Sequence, residues 1–189
     1  MVDLTRNSSI LIVDDNPNNI QILSHILQHA GFRVSVANSG KNALLKIKTE
    51  LPDLILLDLI MPEMNGLETC RHLKAEPTTQ DIPVIFVSAL DEATNKAECF
   101  AVGGVDYITK PFAAEETLAR VKHQLALRAA KIEIERLNQE LEDRVRQRTL
   151  QLEALNQQLQ QEISDRHQAQ EQLVYSALHD ALTHLPNRT

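Results

Sequence analysis

The chain has no tryptophan, and phenylalanine and tyrosine together make up 3% of its 189 residues. A core of ordinary density must therefore be assembled from Leu, Ile, Val and Ala. Cysteine is scarce as well. Cys70 and Cys99 stand far apart with no second pair, which excludes a disulfide framework or a thiolate zinc site and leaves two buried thiols. No apolar stretch approaches the roughly 20 residues of a membrane span, and no N-terminal run is long enough for a secretory leader. The expectation is a cytoplasmic chain without membrane contact. Positive charge is short too: the formal net charge is −7 and no Lys/Arg cluster stands out to neutralise phosphates, so direct nucleic-acid binding is not expected.

What is present reads as alternating strands and helices. Ser9-Ile-Leu-Ile-Val13 is a compact apolar run that ends on Asp14-Asp15; Asn16-Pro17 then opens a helix, with Asn16 as cap and Pro17 in the first turn. Ile20, Leu23, Ile26 and Leu27 share a face until Gly31 stops that helix near residue 30. Residues 32–37 alternate as a short strand, and Asn38-Ser39-Gly40 turns into a second helix that ends at Leu51-Pro52. The continuous apolar runs 54–58 and 83–87 read as strands covered on both faces. Helices over about 67–74 and 92–102 follow them, and a last short strand leads through Tyr107 to Thr109-Lys110-Pro111. Five strand–helix alternations with right-handed crossovers give a doubly wound α/β domain, a five-stranded parallel sheet with helices on both faces.

The stretch from Asp53 to Leu67 carries the chemistry. Its strand ends on Asp58, with Pro62 and Gly66 just beyond. In an open parallel sheet, ligands bind outside the carboxyl ends of the strands. Taken alone, Asp58 is as well explained as a residue that ends a strand and caps a turn. With the strands in the order 2-1-3-4-5, however, Asp14, Asp15, Asp58, Ser88 and Lys110 all project from one edge. Three carboxylates at close range raise one another's pKa unless a cation intervenes, and oxygen ligands alone suit a hard ion such as Mg²⁺. A carboxylate beside Mg²⁺ and the Lys110 ammonium can attack a phosphoryl group, while Ser88 donates a hydrogen bond to a transferred oxygen. The product would be an aspartyl phosphate on Asp58.

Asp14-Asp15, Asp58 followed by Met61-Pro-Glu-Met-Asn-Gly66, Ser88-Ala89, and Tyr107-Ile-Thr-Lys110-Pro111-Phe112 together resemble the receiver domain of two-component response regulators, the CheY-like domain with a flavodoxin-like fold. The resemblance implies Asp58 as phosphoacceptor and a Mg²⁺ held by Asp15 and Asp58, with Asp14 helping through water and the backbone carbonyl of Ile60 completing the ligands. It also implies Ser88 and Tyr107 as a switch pair, a cis bond before Pro111, and a sensor histidine kinase or phosphotransfer protein as the phosphoryl donor. By itself Tyr107 would pass for an ordinary strand-edge aromatic. Ile60 and Leu90 flank the site and are expected to exclude water from it.

Residues 113–175 contain neither Gly nor Pro. They read as one helix, roughly 90 Å long at about 1.5 Å per residue. Ile134, Leu137, Leu141, Val145, Leu152, Leu155, Leu159, Ile163 and Leu173 recur at spacings of three and four, a seam that asks for a partner helix and predicts a homodimeric coiled coil rather than a solvated single helix. Successive fours act as stutters, and Arg148 and Arg166 fall on the seam, at a cost in stability that sets register or keeps the dimer adjustable. The expected division is a receiver over 1–124, a signalling helix over 125–175 and the start of an output domain over 176–189.

In that last segment Asp180, Leu182, Thr183, Leu185, Pro186, Asn187 and Arg188 resemble the opening of diguanylate cyclase (GGDEF) domains, with His184 where that family commonly has Gly. The resemblance implies a longer regulator whose output makes cyclic di-GMP; the cyclase's catalytic motif is not within these residues, so this stretch is a phosphoacceptor and not a stand-alone enzyme. Two other classes compete. One is a hybrid sensor kinase phosphorylated on His179, although Pro186 lies seven residues on where that motif has Pro at five. The other is a receiver-like dimerisation scaffold without phosphoryl turnover, against which the complete Asp14, Asp15, Asp58, Ser88 and Lys110 set speaks.

Overall fold

The structure, a computed structural model, describes residues 8–89 and 95–178. The elements run β1 (Ser9–Val13), α1 (Pro17–His29), β2 (Arg33–Ala37), α2 (Gly40–Ile47), β3 (Leu54–Asp58), α3 (Gly66–Ala75), β4 (Val84–Ala89), α4 (Asn95–Ala101), β5 (Asp106–Lys110) and α5 (Ala114–Leu178). The chain divides into two compact units, 1–133 and 134–189.

In the first unit all strand pairs are parallel, as the alternation predicts, and the sheet order is β2-β1-β3-β4-β5, the order on which the convergence of the five polar residues is premised. The apolar runs bury side chains in both directions. Leu11, Val13, Ile55, Leu57, Val84 and Phe86 meet α2, α3 and α4 through Ala43, Ile47, Cys70, Leu73 and Cys99. Their neighbours Ile10, Ile12, Leu54, Leu56, Ile85 and Val87 meet α1 and α5 through Leu23, Leu27, Val121 and Leu125. Successive residues of a strand point to opposite faces, so a run that is apolar at every position holds a helical layer on each side. Both cysteines lie buried in the first of these cores as thiols rather than as a disulfide.

Local chemistry sets the helix ends. The Asn16 side chain accepts the Asn18 N–H, with Pro17 in the first turn, and the α1 end passes into Gly31 at φ 91°. At α3, Asn65 and Glu68 form a reciprocal capping box. The second helix is shorter than its pattern predicts, stopping at Ile47 rather than near Leu51. There the Thr49 hydroxyl and the backbone N–H groups of Thr49 and Glu50 all take the Lys46 carbonyl, which closes a turn and ends the helical ladder. Leu51 is half exposed, so little burial is lost by stopping early.

Helix α5 packs on the sheet through Thr117, Val121 and Leu125, all buried. Arg128 then donates to the carbonyls of Asp53 at 2.6 Å and Pro52 at 3.2 Å, and Lys131 pairs with Asp81 at 2.6 Å. In the second unit the apolar positions of the seam are about half exposed or more, from Leu159 at 47% to Leu173 at 69%. Among the described residues no helix is long and apolar enough to cross a membrane.

The start of α3 is fixed by glycine. Gly66 donates its N–H to the Leu59 carbonyl at 2.9 Å, and a Cβ at this position would strike the carbonyl oxygen of Asp58. The obstacle is backbone and cannot rotate away. Gly66→Ala is expected to destabilise the first unit by about 2–3 kcal/mol, seen as a lower urea midpoint with unchanged slope.

Candidate functional site

The C-terminal ends of the strands bring five predicted side chains to one edge. Asp58 is the last residue of β3 and pairs with Val87. Ser88, the next residue on β4, pairs with Thr109, so Lys110 follows one step beyond at the end of β5. Asp14 directly follows β1, its N–H bonded to the Ala37 carbonyl of β2. The ligand oxygens of Asp14, Asp15 and Asp58 lie within 4.8 Å of one another. Lys110 Nζ sits 3.0 Å from Asp58 Oδ1 and 3.1 Å from Asp14 Oδ2. The Lys110–Pro111 peptide bond is cis.

Burial differs sharply within the trio: Asp14 and Asp58 are buried, while Asp15 is exposed. The loss of water pushes the Asp58 carboxyl above the ordinary carboxylate range; the Lys110 hydrogen bond opposes this, and the charges of Asp14 and Asp15 reinforce it. Three carboxylates against one ammonium leave a surplus of negative charge in a pocket open to water at Asp15. All the side-chain donors are oxygens, and they are close enough to share one ion. That fits a divalent hard cation that keeps part of its hydration shell.

The other predicted residues are placed less centrally. Ile60 stands in the loop two residues past Asp58, its side chain exposed. Tyr107 pairs with Phe86 three residues before Lys110, about 10 Å back along the strand. It is partly buried beside the core of α2, α3 and α4. Leu90, His179 and the cyclase-like residues 180–188 lie outside the described residues.

Two neighbours were not anticipated from the sequence. Arg120 of α5 holds Asp106 at 2.8 Å and lies 5.4 Å over the Tyr107 ring, so it laps around edge strand β5. Asn19 of α1 bonds to both oxygens of Asp14. The helical periodicity of α1 marks only its apolar face, so it gives Asn19 no distinction from Asn16 and Asn18.

Residues 10–122 match the family model described as response regulator receiver domain, and the chain belongs to that family. It is 39% identical over 116 residues to the alkaline phosphatase synthesis transcriptional regulatory protein PhoP of Bacillus subtilis, covering 61% of this chain and 48% of that one. Response regulator PleD of Caulobacter vibrioides is 38% identical over 133 residues, 70% of this chain and 29% of its own. The Probable cyclic di-GMP phosphodiesterase of Vibrio cholerae is 39% identical over 150 residues, 79% of this chain and 33% of its own. Among solved structures, Vibrio cholerae chemotaxis protein CheY4 superposes with a TM-score of 0.59 at 31% identity, over 63% of this chain and 98% of that one. The chain spans about half or less of the length of the curated relatives it matches.

The raised Asp58 pKa has a stability consequence. The folded state holds this proton more tightly than the unfolded chain, so the group's contribution falls as pH rises through the folded pKa and is a net cost at pH 7. Asp58→Asn, measured in EDTA at pH 7, is expected to raise the Tm by about 2–5 °C. The gain should shrink as pH is lowered into the ordinary carboxylate range.

Proposed function

We propose that this chain is the receiver and signalling helix of a cytoplasmic response regulator in which Asp58 accepts a phosphoryl group from a sensor histidine kinase or phosphotransfer protein. The observation that carries the reading is the Lys110 ammonium, held between Asp58 and Asp14 in a cluster of three carboxylates. Asp15 and Asp58 would hold a Mg²⁺ directly, Asp14 through water, with the Ile60 carbonyl completing the protein ligands. Once bound, the ion neutralises charge on the phosphoryl oxygens.

An Asp58 carboxylate oxygen attacks the phosphorus of the donor phosphohistidine; the new O–P bond forms as the N–P bond breaks, and the imidazole leaves with the electron pair and takes a proton from solvent. Lys110 holds the attacking carboxylate and then a phosphoryl oxygen, and the Ser88 hydroxyl donates to another. Ser88 and Tyr107 serve as the switch: the hydroxyl moves toward the phosphate, and the tyrosine turns into the space it leaves. The contact of Arg120 with Tyr107 supports a route from that ring to α5.

The receiver spans 1–124, the signalling helix 125–175 and the start of the output domain 176–189. The exposed apolar seam of residues 134–173 supports a homodimer through this helix. The cyclase-like residues 180–188 support a diguanylate cyclase output, whose paired sites need a dimer, while the 150-residue match to the Probable cyclic di-GMP phosphodiesterase of Vibrio cholerae supports a link to cyclic di-GMP and not the direction of the chemistry. PhoP, a transcriptional regulator, matches over a shorter stretch of 116 residues.

The chain is expected to take label from acetyl phosphate with Mg²⁺ and to bind beryllofluoride. Asp58→Ala should abolish both, and Lys110→Ala should slow labelling by about 10²–10³-fold. Labelling that survives Asp58→Ala would defeat the acceptor assignment; an intact chain that neither labels nor binds would favour the scaffold. Light scattering should give twice the 21.3 kDa chain mass. Replacing Leu155 and Leu159 together with Asp should yield monomers that still accept phosphate.

A further inference from the structure

Asn19 has no part in the site as the sequence presents it, yet it is bound to the most buried of the three carboxylates. Asp14 is 1% exposed. Its Oδ1 accepts the Asn16 backbone N–H at 2.8 Å and Asn19 Nδ2 at 3.0 Å. Its Oδ2 accepts Asn19 Nδ2 at 2.9 Å and Lys110 Nζ at 3.1 Å. An ionised carboxylate offers about four lone-pair sites, and donors fill both oxygens. The same carboxylate nevertheless has a ligand atom within 4.8 Å of those on Asp15 and Asp58. Distance alone would make Asp14 a direct ligand of any ion there; its occupied oxygens do not.

The three donors differ in what else they do. The Asn16 N–H belongs to the turn that opens α1, and Lys110 is shared with Asp58. The Asn19 amide straddles both oxygens and pairs with no other group of the acidic cluster. It is the third residue of α1, in a first turn that contains no acidic residue. A carboxylate at this place would favour the helix dipole but would face Asp14 with like charge; the amide instead supplies a neutral donor of the same reach.

We propose that Asn19 is a positioning residue that keeps Asp14 from ligating the divalent ion directly, so that Asp15 and Asp58 alone supply its carboxylate ligands. This rests on the Mg²⁺ reading above. Without the amide, one lone pair on each Asp14 oxygen is released, and the carboxylate turns toward the ion and replaces a bound water.

The test uses the full chain and counts waters. With Mn²⁺ bound in D₂O, electron spin-echo envelope modulation is expected to show one fewer coordinated water in Asn19→Ala than in the wild type, and calorimetry to show Mg²⁺ bound three- to tenfold more tightly. Gln21→Ala, on the exposed side of the same helix, should match the wild type in both. An unchanged water count in Asn19→Ala overturns the assignment, whatever the affinity does. Should that variant fail to fold, Asn19→Leu, similarly branched and without a donor, is read in the same way. A wild type that binds neither Mg²⁺ nor Mn²⁺ overturns the metal reading itself, whereas normal wild-type binding with an unchanged variant overturns only the role of Asn19.

Discussion

Like charge packed at one edge of a sheet is the constraint around which this receiver is arranged. Asp14 and Asp58 are both buried, and a single lysine lies about 3 Å from each. Loss of water raises the cost of ionising Asp58, the two neighbouring carboxylates add to it, and Lys110 takes part of it back. Such a cluster does not relax by moving apart, because every member is fixed by a strand end or by the turn that follows it. The stored repulsion is what a divalent cation or a phosphoryl group with its cation would relieve.

The rest of the unit supplies that fixity. Each inner strand carries an unbroken apolar run of at least four residues, 10–13, 54–57 and 84–87, clamped between two helical layers, so the strand ends cannot slide without breaking two cores at once. The Asp58 end is held further by α3, whose first residue approaches the Asp58–Leu59 backbone so closely that only glycine fits. At the edge of the sheet, where β5 is the last strand among the described residues, Arg120 covers the strand by reaching from α5 to Asp106 and across the Tyr107 ring. An edge strand leaves one row of backbone groups outside the ladder, and this one carries both Lys110 and Tyr107.

Strand positions, the cap at Asn16, and the convergence of Asp14, Asp15, Asp58, Ser88 and Lys110 were all legible because each depends on residues adjacent in the chain or on topology that few rules determine. The end of α2 was not legible. Leu51 continues the apolar phase, but the Thr49 hydroxyl competes for the Lys46 carbonyl, and helix periodicity does not register such competition. Arg128 was equally silent, since its partners are backbone carbonyls of Pro52 and Asp53, far away in the chain and without a side-chain signature. Asn19 is the plainest case: it is one of three asparagines within four residues, and only the rotation of α1 over β1 selects it.

The sequence by itself determined the alternation of strands and helices, the two-sided burial of the inner strands and the identity of the acidic and basic residues at their ends. These follow from periodicity, caps and the handedness of crossovers, which are properties of short segments. Only the tertiary structure decided how the charges are shared: which carboxylate is buried and saturated, which is open to water, and that one lysine serves two acids. Such sharing is set by distances of 3 to 5 Å between residues up to 96 positions apart, and no local pattern encodes a distance between distant segments.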